Sequence, residues 1–506
     1  MRNDRGSIRR FFARIDRGRR GGRVAMSDAR GLLDRISAFR QRLDSAPRVG
    51  AEDGPAATQP VAAEPEAFRQ SLRQIAGAVD VAEGPAPPQL TTRARQSLNA
   101  AKVLLDRHRK FTADPIVAGL ASADGPEPDP IVAYHRETTA VMNSAVRLAQ
   151  VFPESPSLQL KLCDGLDGIL EIVKGRLTIQ ERALAQRRTD FDRIDRLAAV
   201  YSAMAMYRGI SMGPVAALAE EILEDARQTR PIRFHSAKPQ STHSYAGGPE
   251  TLAPARFLAA HCLTVAQVVA RVVPFDFEWA GRPLVPVVAA LFMDCGMMRV
   301  QAEVLAKPGP LTPDDRRVVE QHARYGAELI TRYIPDAAPL AAGVAAHHER
   351  NDGTGYPLGL KGSTAPSLGR MLAAADVYAA LCCPRPHRPA QDTRSALTDV
   401  LLMAEQGQLD RDFAEYLVHL SFYPVGSVVE LTDGRVGVVA ANHPNRLDPR
   451  APGRPVVAVL ANSDGGLLPL PEHLDLSASD RGGILRTLPI ADRRRLLAQR
   501  YPELGV

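Results

Sequence analysis

Apolar positions along this chain follow two periods. From about residue 67 to 230 they recur every three to four residues, the pattern of amphipathic helices. Residues 91–108, 129–151, 155–186, 189–208 and 213–226 each carry such a stripe, and Pro130 falls at a helix start, where its missing N–H matters least. Upstream, Leu32, Leu33, Ile36, Phe39 and Leu43 lie at helical spacing among Arg and Asp, which predicts a helix suited equally to a short coiled coil or to packing on its own domain. Residues 45–66, rich in Ala, Pro, Gly and Glu without a period, read as a linker. A polar Gly/Pro/Ser/His-rich stretch at 231–250 marks a second boundary, and helical spacing then resumes to about 420. There the period becomes two. Val428, Val429 and Leu431 on one side, and Val436, Val438 and Val439 on the other, flank Asp433-Gly434, a hairpin signal, and Val456–Leu460 forms a third strand. Residues 489–500 predict a short Arg-rich helix. The expected organisation is an N-terminal segment 1–66, a helical regulatory or dimerisation region 67–230, a helical domain 231–421, a small β-module 422–480 and a tail 481–506.

Composition narrows the function classes. A chain of 506 residues with 45% hydrophobic content is an ordinary globular protein of two to four domains. Its apolar stretches read as short and broken by charges or prolines, so no membrane span is expected. No apolar run follows the charged first residues, so no secretory signal is expected. Cys163, Cys262, Cys295, Cys382 and Cys383 have neither metal-finger spacing nor disulfide density, which points to a reducing cytoplasm. The net charge of +6 is uneven: residues 1–23 hold nine arginines against two aspartates. Such a run suits nucleic acid or anionic lipid, or simply a solvated tail. Met26-Ser27-Asp28 offers a second plausible beginning, so no function is built on residues 1–25 and a nucleic-acid partner is not expected. Region 67–230 contains no Gly-rich nucleotide loop and no phosphoacceptor signature.

The sharpest chemistry lies in His347-His348-Glu349-Arg350-Asn351-Asp352-Gly353-Thr354-Gly355-Tyr356-Pro357. Imidazoles suit iron, manganese and zinc. Neighbouring helical residues point about 100° apart, so adjacent histidines can reach different ions. The glycines let the following loop fold close to such a site. Taken alone, an adjacent His pair is more often an exposed helix end than a ligand pair.

These eleven residues match the H-H-E-x-x-D-G-x-G-Y-P hallmark of HD-GYP domains at every fixed position, and the surroundings are similar to that family over about 250–475. Leu368-Gly369-Arg370 through Asp376 to Leu381 resembles the family's next helix, and Arg385-Pro386-His387-Arg388-Pro389 its R-P-Y-[RK]-P stretch. The resemblance implies metal ligands at His261, Asp294, His322, His347, His348 and Asp376, with Asp294 as the catalytic bridging carboxylate. It implies substrate contacts from Arg385, Arg388 and Tyr356, the last within the Gly355-Tyr356-Pro357 signature. Arg385 and Arg388 also suit a solvated Arg-rich loop. Three positions depart from the pattern. Phe257 stands where many members have a glutamate, Met293 replaces the dyad histidine beside Asp294, and Met297 replaces the lysine that faces phosphate.

The fold implied is mainly α: an HD-GYP helical core with an N-terminal helical region and a small C-terminal β-module. The chemistry implied is hydrolysis of cyclic di-GMP by two iron or manganese ions about 3.5–4 Å apart. A thioether is a soft ligand and a poor substitute for imidazole on such ions. Loss of a preorganised charge such as the lysine costs roughly 10²–10³ in rate. One or two ions at reduced occupancy are therefore expected, or none if the site is fully degenerate. Two functions follow as expectations. One is a non-catalytic or strongly impaired receptor or scaffold for cyclic di-GMP or a related cyclic dinucleotide, with a protein partner such as a diguanylate cyclase and a possible homodimer. The other is an active metal-dependent phosphodiesterase with an altered metal site.

Overall fold

The computed structural model describes residues 91–488, apart from 122–128, 150–155, 243–249, 335, 385–389, 421–422, 424–425, 442–452 and 479–481. The expected helix around Leu32–Leu43, the linker 45–66, the Arg-rich terminal helix and the candidate substrate contacts Arg385 and Arg388 lie outside the described residues.

The N-terminal region is a packet of helices: α1 (Thr92–Thr112), α2 (Pro115–Ala121), α3 (Pro130–Ala149) and α4 (Pro156–Ala205). Thr91 caps α1, its hydroxyl accepting from the Ala94 amide at 3.2 Å. The pattern predicted two helices where α4 is a single one of 50 residues. Gln186, Arg187 and Arg188 interrupt the stripe but are good helix formers, so the helix continues while its buried face changes partners. Leu166, Leu170, Val173 and Leu177 pack with Leu104, Leu105, Met142 and Val146. Ala183 and Leu184 then meet Phe111, Ile116 and Ile131. Ile194, Leu197, Ala198, Tyr201 and Met204 finally enter a different and larger core.

That larger core also takes α5 (Met212–Arg227), α6 (Ala255–Val272) and α7 (Leu284–Phe292). It is completed by α8 (Ala302–Leu305), α10 (His322–Tyr333), α11 (Ala338–Ala345), α12 (Ser367–Cys382), α13 (Thr393–Glu405) and α14 (Arg411–Tyr416), while the intervening α9 (Pro313–Glu320) buries none of its residues. The polar stretch after residue 231 does not separate one core from another, because a single hydrophobic cluster runs from Ile194 to Leu420. The segment is instead a strap stitched to α6: the Arg233 amide donates to Gln267 Oε1 at 2.9 Å and the His235 amide to Thr264 Oγ1 at 3.0 Å. The expectation that every apolar stretch is short also needs correction. Ala255–Phe275 has the length and hydropathy of a membrane span, yet 83% of its apolar window is buried by the rest of the protein. It is the central helix of the core.

After α14 the chain forms a five-stranded antiparallel sheet in the order β4-β3-β2-β1-β5. The strands are β1 (Val428–Leu431), β2 (Val436–Ala441), β3 (Val456–Ala461), β4 (Leu467–Asp475) and β5 (Ile484–Thr487). The Asp433-Gly434 turn closes the first hairpin, with Gly434 at φ +84° and its amide donating to Leu431 O at 3.0 Å. Alternation gives the sheet two apolar faces. Val429, Leu431, Val439, Val457 and Val459 lie on one, and Val428, Val438, Ala458 and Leu460 on the other. β5 lies beyond the expected end of the module at 480, so the sheet takes in the start of what the sequence reads as a tail.

Candidate metal centre

Five elements converge on one buried site. His261, midway along α6, faces Asp376 on α12, with Nε2 to Oδ1 at 2.8 Å. α7 ends at Phe292, and Asp294 leaves helical geometry at φ −99°, ψ 8°, which turns its carboxylate inward. The turn can lie flush against α10 only because residue 296 is glycine: a Cβ there would overlap the His322 carbonyl oxygen and the Gly326 nitrogen. His322 opens α10, and His347 and His348 follow α11. His261, Asp294, His322, His347 and Asp376 are buried, and His348 is nearly so.

The orientation of two of these imidazoles is fixed by the backbone. His322 Nδ1 donates to Val319 O at 2.6 Å and His347 Nδ1 to Val344 O at 2.5 Å. With Nδ1 holding the proton, each Nε2 presents a lone pair inward. Those two nitrogens lie 3.2 Å apart, with Asp294 Oδ1 at 3.4 Å from His322 Nε2 and 3.7 Å from His347 Nε2. Two lone pairs facing each other beside a carboxylate repel unless a proton or a cation sits between them. Asp294, His322, His347 and His348 offer ligand atoms all within 4.8 Å of one another. The donor set therefore fits a metal ion. Asp294 also reaches the second group, with Oδ2 at 3.9 Å from His261 Nε2, and Asp376 Oδ2 lies 3.9 Å from His348 Nδ1.

Charge follows the same logic. Burial pushes the Asp294 carboxyl up, but the neighbouring imidazoles of His347, His322 and His261 outweigh it and hold it well below the usual carboxylate range. Asp376 is likewise held down, with burial outweighed chiefly by its hydrogen bond to His261. Burial drives His322 down to about 4 and His348 well below its ordinary value. His347 alone shifts up, because Asp294 offsets its burial. Two carboxylates held down in this way face the His322 and His348 imidazoles, whose burial favours the neutral form, a pocket suited to a cation.

The loop after His348 closes one side. Tyr356 N donates to His348 O at 3.2 Å, and the tyrosine ring lies 4.7 Å from the His348 ring, tilted by 33°. Gly355 is needed here, since a Cβ would overlap His348 O and Arg350 N. Tyr356 joins Pro357 through a cis peptide. The residue that sequence reasoning missed is Glu349. It is buried, and its two carboxylate oxygens accept from the Leu358 and Leu360 amides at 2.8 and 2.9 Å. It is a fixed position of the hallmark with no ligand role assigned to it, and that was the available signal. The three departing positions pack with the apolar core. Met293 is fully buried in the domain core, and Phe257 and Met297 pack partly buried against it.

Residues 258–413 match the protein family described as HD domain. The chain is 37% identical over 157 residues to the cyclic di-GMP phosphodiesterase PA4108 of Pseudomonas aeruginosa, a match covering 31% of this chain and 37% of that protein. It is 41% identical over 125 residues to the cyclic di-GMP phosphodiesterase response regulator RpfG of Xanthomonas campestris pv. campestris, covering 24% of this chain and 32% of that one. It is 38% identical over 109 residues to the 3'3'-cGAMP-specific phosphodiesterase 3 of Vibrio cholerae, covering 22% and 24% respectively. The chain thus spans little more than a third, at most 37%, of the length of these relatives. With the hallmark residues folded around one cluster of histidines and aspartates, residues 258–413 are similar to the HD domain family and carry the HD-GYP hallmark.

Proposed function

We propose that this chain binds a cyclic dinucleotide through its HD-GYP core and serves second-messenger signalling as a receptor or scaffold, with hydrolysis absent or strongly impaired. The observation that carries this reading is the burial of Met293 in the apolar core directly beside Asp294, where a hydrolytic site of this kind needs an imidazole. Asp294, His322, His347 and His348 would hold one hard ion, iron or manganese. Such an ion, when bound, neutralises charge on phosphate oxygens. His261 and Asp376 are left as a hydrogen-bonded pair, one imidazole short of a second site. Tyr356 supplies a flat wall beside His348 for a base, and Arg385 and Arg388 would supply bidentate phosphate contacts. The five cysteines, all buried free thiols, support a reducing cytoplasmic setting.

One feature favours the second reading, an active phosphodiesterase with an altered site. Asp294 directs Oδ1 toward His322 and His347 and Oδ2 toward His261, as a carboxylate bridging two ions would. Metal content of the purified protein, measured beside binding and hydrolysis of cyclic di-GMP, separates the two. One equivalent or less of iron or manganese, with dinucleotide bound and no turnover, is the expected result. Two equivalents with turnover would establish the second reading instead, and neither binding nor turnover would refute both.

A further inference from the structure

We propose that Tyr201 is a positioning residue for the metal centre, tying the long helix α4 to the turn that presents Asp294. The proposal rests on the reading of that centre as a cation site. Tyr201 lies in the last turns of α4 and is completely buried, yet its hydroxyl is not idle: it donates to the carbonyl of Leu291. That carbonyl belongs to the last turn of α7, where helix carbonyls have lost their intrahelical donors. Two residues later the chain reaches Met293, and then Asp294 turns inward. The hydroxyl thus completes the end of α7 at the point where the backbone must stop being helical for Asp294 to face the histidines.

The surroundings of that hydroxyl tie it to two ligands at once. Tyr201 shares one buried core with Cys262 and Cys295, whose thiols lie within electrostatic reach of the hydroxyl. Cys262 follows His261 in the chain, and Cys295 follows Asp294. The end of α4 also touches the element that carries His322, since the Tyr333 hydroxyl of α10 reaches Met204 O at 3.5 Å. Farther back, the same helix forms the wall of the N-terminal packet through Leu166, Leu170, Val173 and Leu177. A shift of α4 set by that packet would therefore reach Asp294 through one side chain.

Tyr201→Phe keeps the ring and removes only the hydroxyl. Two measurements on the full chain test it: hydrogen exchange resolved at residues 293–297, and Mn(II) titration followed by its electron paramagnetic resonance signal. Tyr333→Phe, which loosens the same end of α4 without touching the Asp294 turn, is the control. The expected result for Tyr201→Phe is faster exchange at 293–297, unchanged exchange in the β-sheet, and Mn(II) affinity weakened about three- to tenfold, the equivalent of one net hydrogen bond. Tyr333→Phe should leave Mn(II) affinity as it was. Unchanged exchange at 293–297 in Tyr201→Phe would overturn the proposal, as would faster exchange there with Mn(II) affinity intact. A native protein that binds no Mn(II) would sink the cation-site reading, while the exchange data would still decide whether Tyr201 holds the turn.

Discussion

Met293→His tests whether a missing imidazole is what weakens the centre. Met293 is 0% exposed and lies within the domain core. A buried imidazole without a partner costs roughly 1–3 kcal/mol relative to an apolar side chain, so the variant without metal should be about 2 kcal/mol less stable than its parent. If the new nitrogen joins Asp294 and Asp376 on an ion, the sign reverses as metal is added. A ligand that binds only the folded state at a hundred times its dissociation constant stabilises by about 2.7 kcal/mol. The variant should therefore recover its deficit at saturating Mn(II), and the parent, short of one ligand, should gain distinctly less. Urea midpoints across a Mn(II) series, with a chelator as the zero point and the pH held near 7.5, read this directly. Adding Met297→Lys should then raise cyclic di-GMP hydrolysis well above the parent. Equal metal-induced stabilisation of parent and Met293→His would refute the argument that position 293 limits the site.

Glu349→Gln keeps the shape but turns an amide N–H toward an amide N–H; two charge-assisted bonds to partly buried donors are disturbed, so a loss of about 1–3 kcal/mol in urea unfolding and faster proteolysis within 352–360 are expected, and unchanged values would show that Glu349 does not hold the loop. His108 and His135 stack at 4.7 Å between α1 and α3, and burial pushes their pKa values down to about 3 and about 4. Since both titrate near 6.5 when unfolded, stability present above that pH should fall as the pH drops toward 4, by up to about 1.4 kcal/mol per pH unit for each histidine. The double variant His108→Gln/His135→Gln should flatten the slope of urea midpoint against pH between 6.5 and 4.5, and an unchanged slope would refute the assignment. Arg385→Ala/Arg388→Ala should weaken cyclic di-GMP binding in a titration at low salt and less so at high salt, and unchanged affinity would assign both to a solvated loop.

Much of this was legible in the sequence because it was local. The hallmark at 347–357, the Asp433-Gly434 hairpin and the starts of α1, α3 and α5 are each written within one or two turns of chain. The missed features depend on neighbours distant in sequence. The stripe of α4 breaks where the helix moves from one core to the next, and periodicity alone reads that as an end. β4 contains Pro469 and Pro471, which argue against a strand in a sheet interior, but β4 is an edge strand, where the lost donors are tolerated. Four-residue β5, the opposite edge, is too short to show a period. Residues 231–242 have the composition of a linker, yet the Arg233 and His235 amides are held by side chains of α6, which no local pattern reveals. Within the site, the histidines and aspartates could be read from the chain, whereas the 3.2 Å approach of His322 Nε2 and His347 Nε2 could not, being fixed by two backbone carbonyls.

The continuity of α4 has a geometric consequence. Its 50 residues make a rod on the order of 75 Å long, and each residue turns the helix by about 100°. The faces that carry Leu177 and Ile194 are therefore locked in angle as well as in distance. One residue inserted between Leu184 and Ile194 would swing the N-terminal helices about 100° around the rod relative to the HD domain, whereas seven would return them to within about 20° of their bearing. That stretch of chain is specified by its phase, and natural changes in its length should come in steps close to whole pairs of turns.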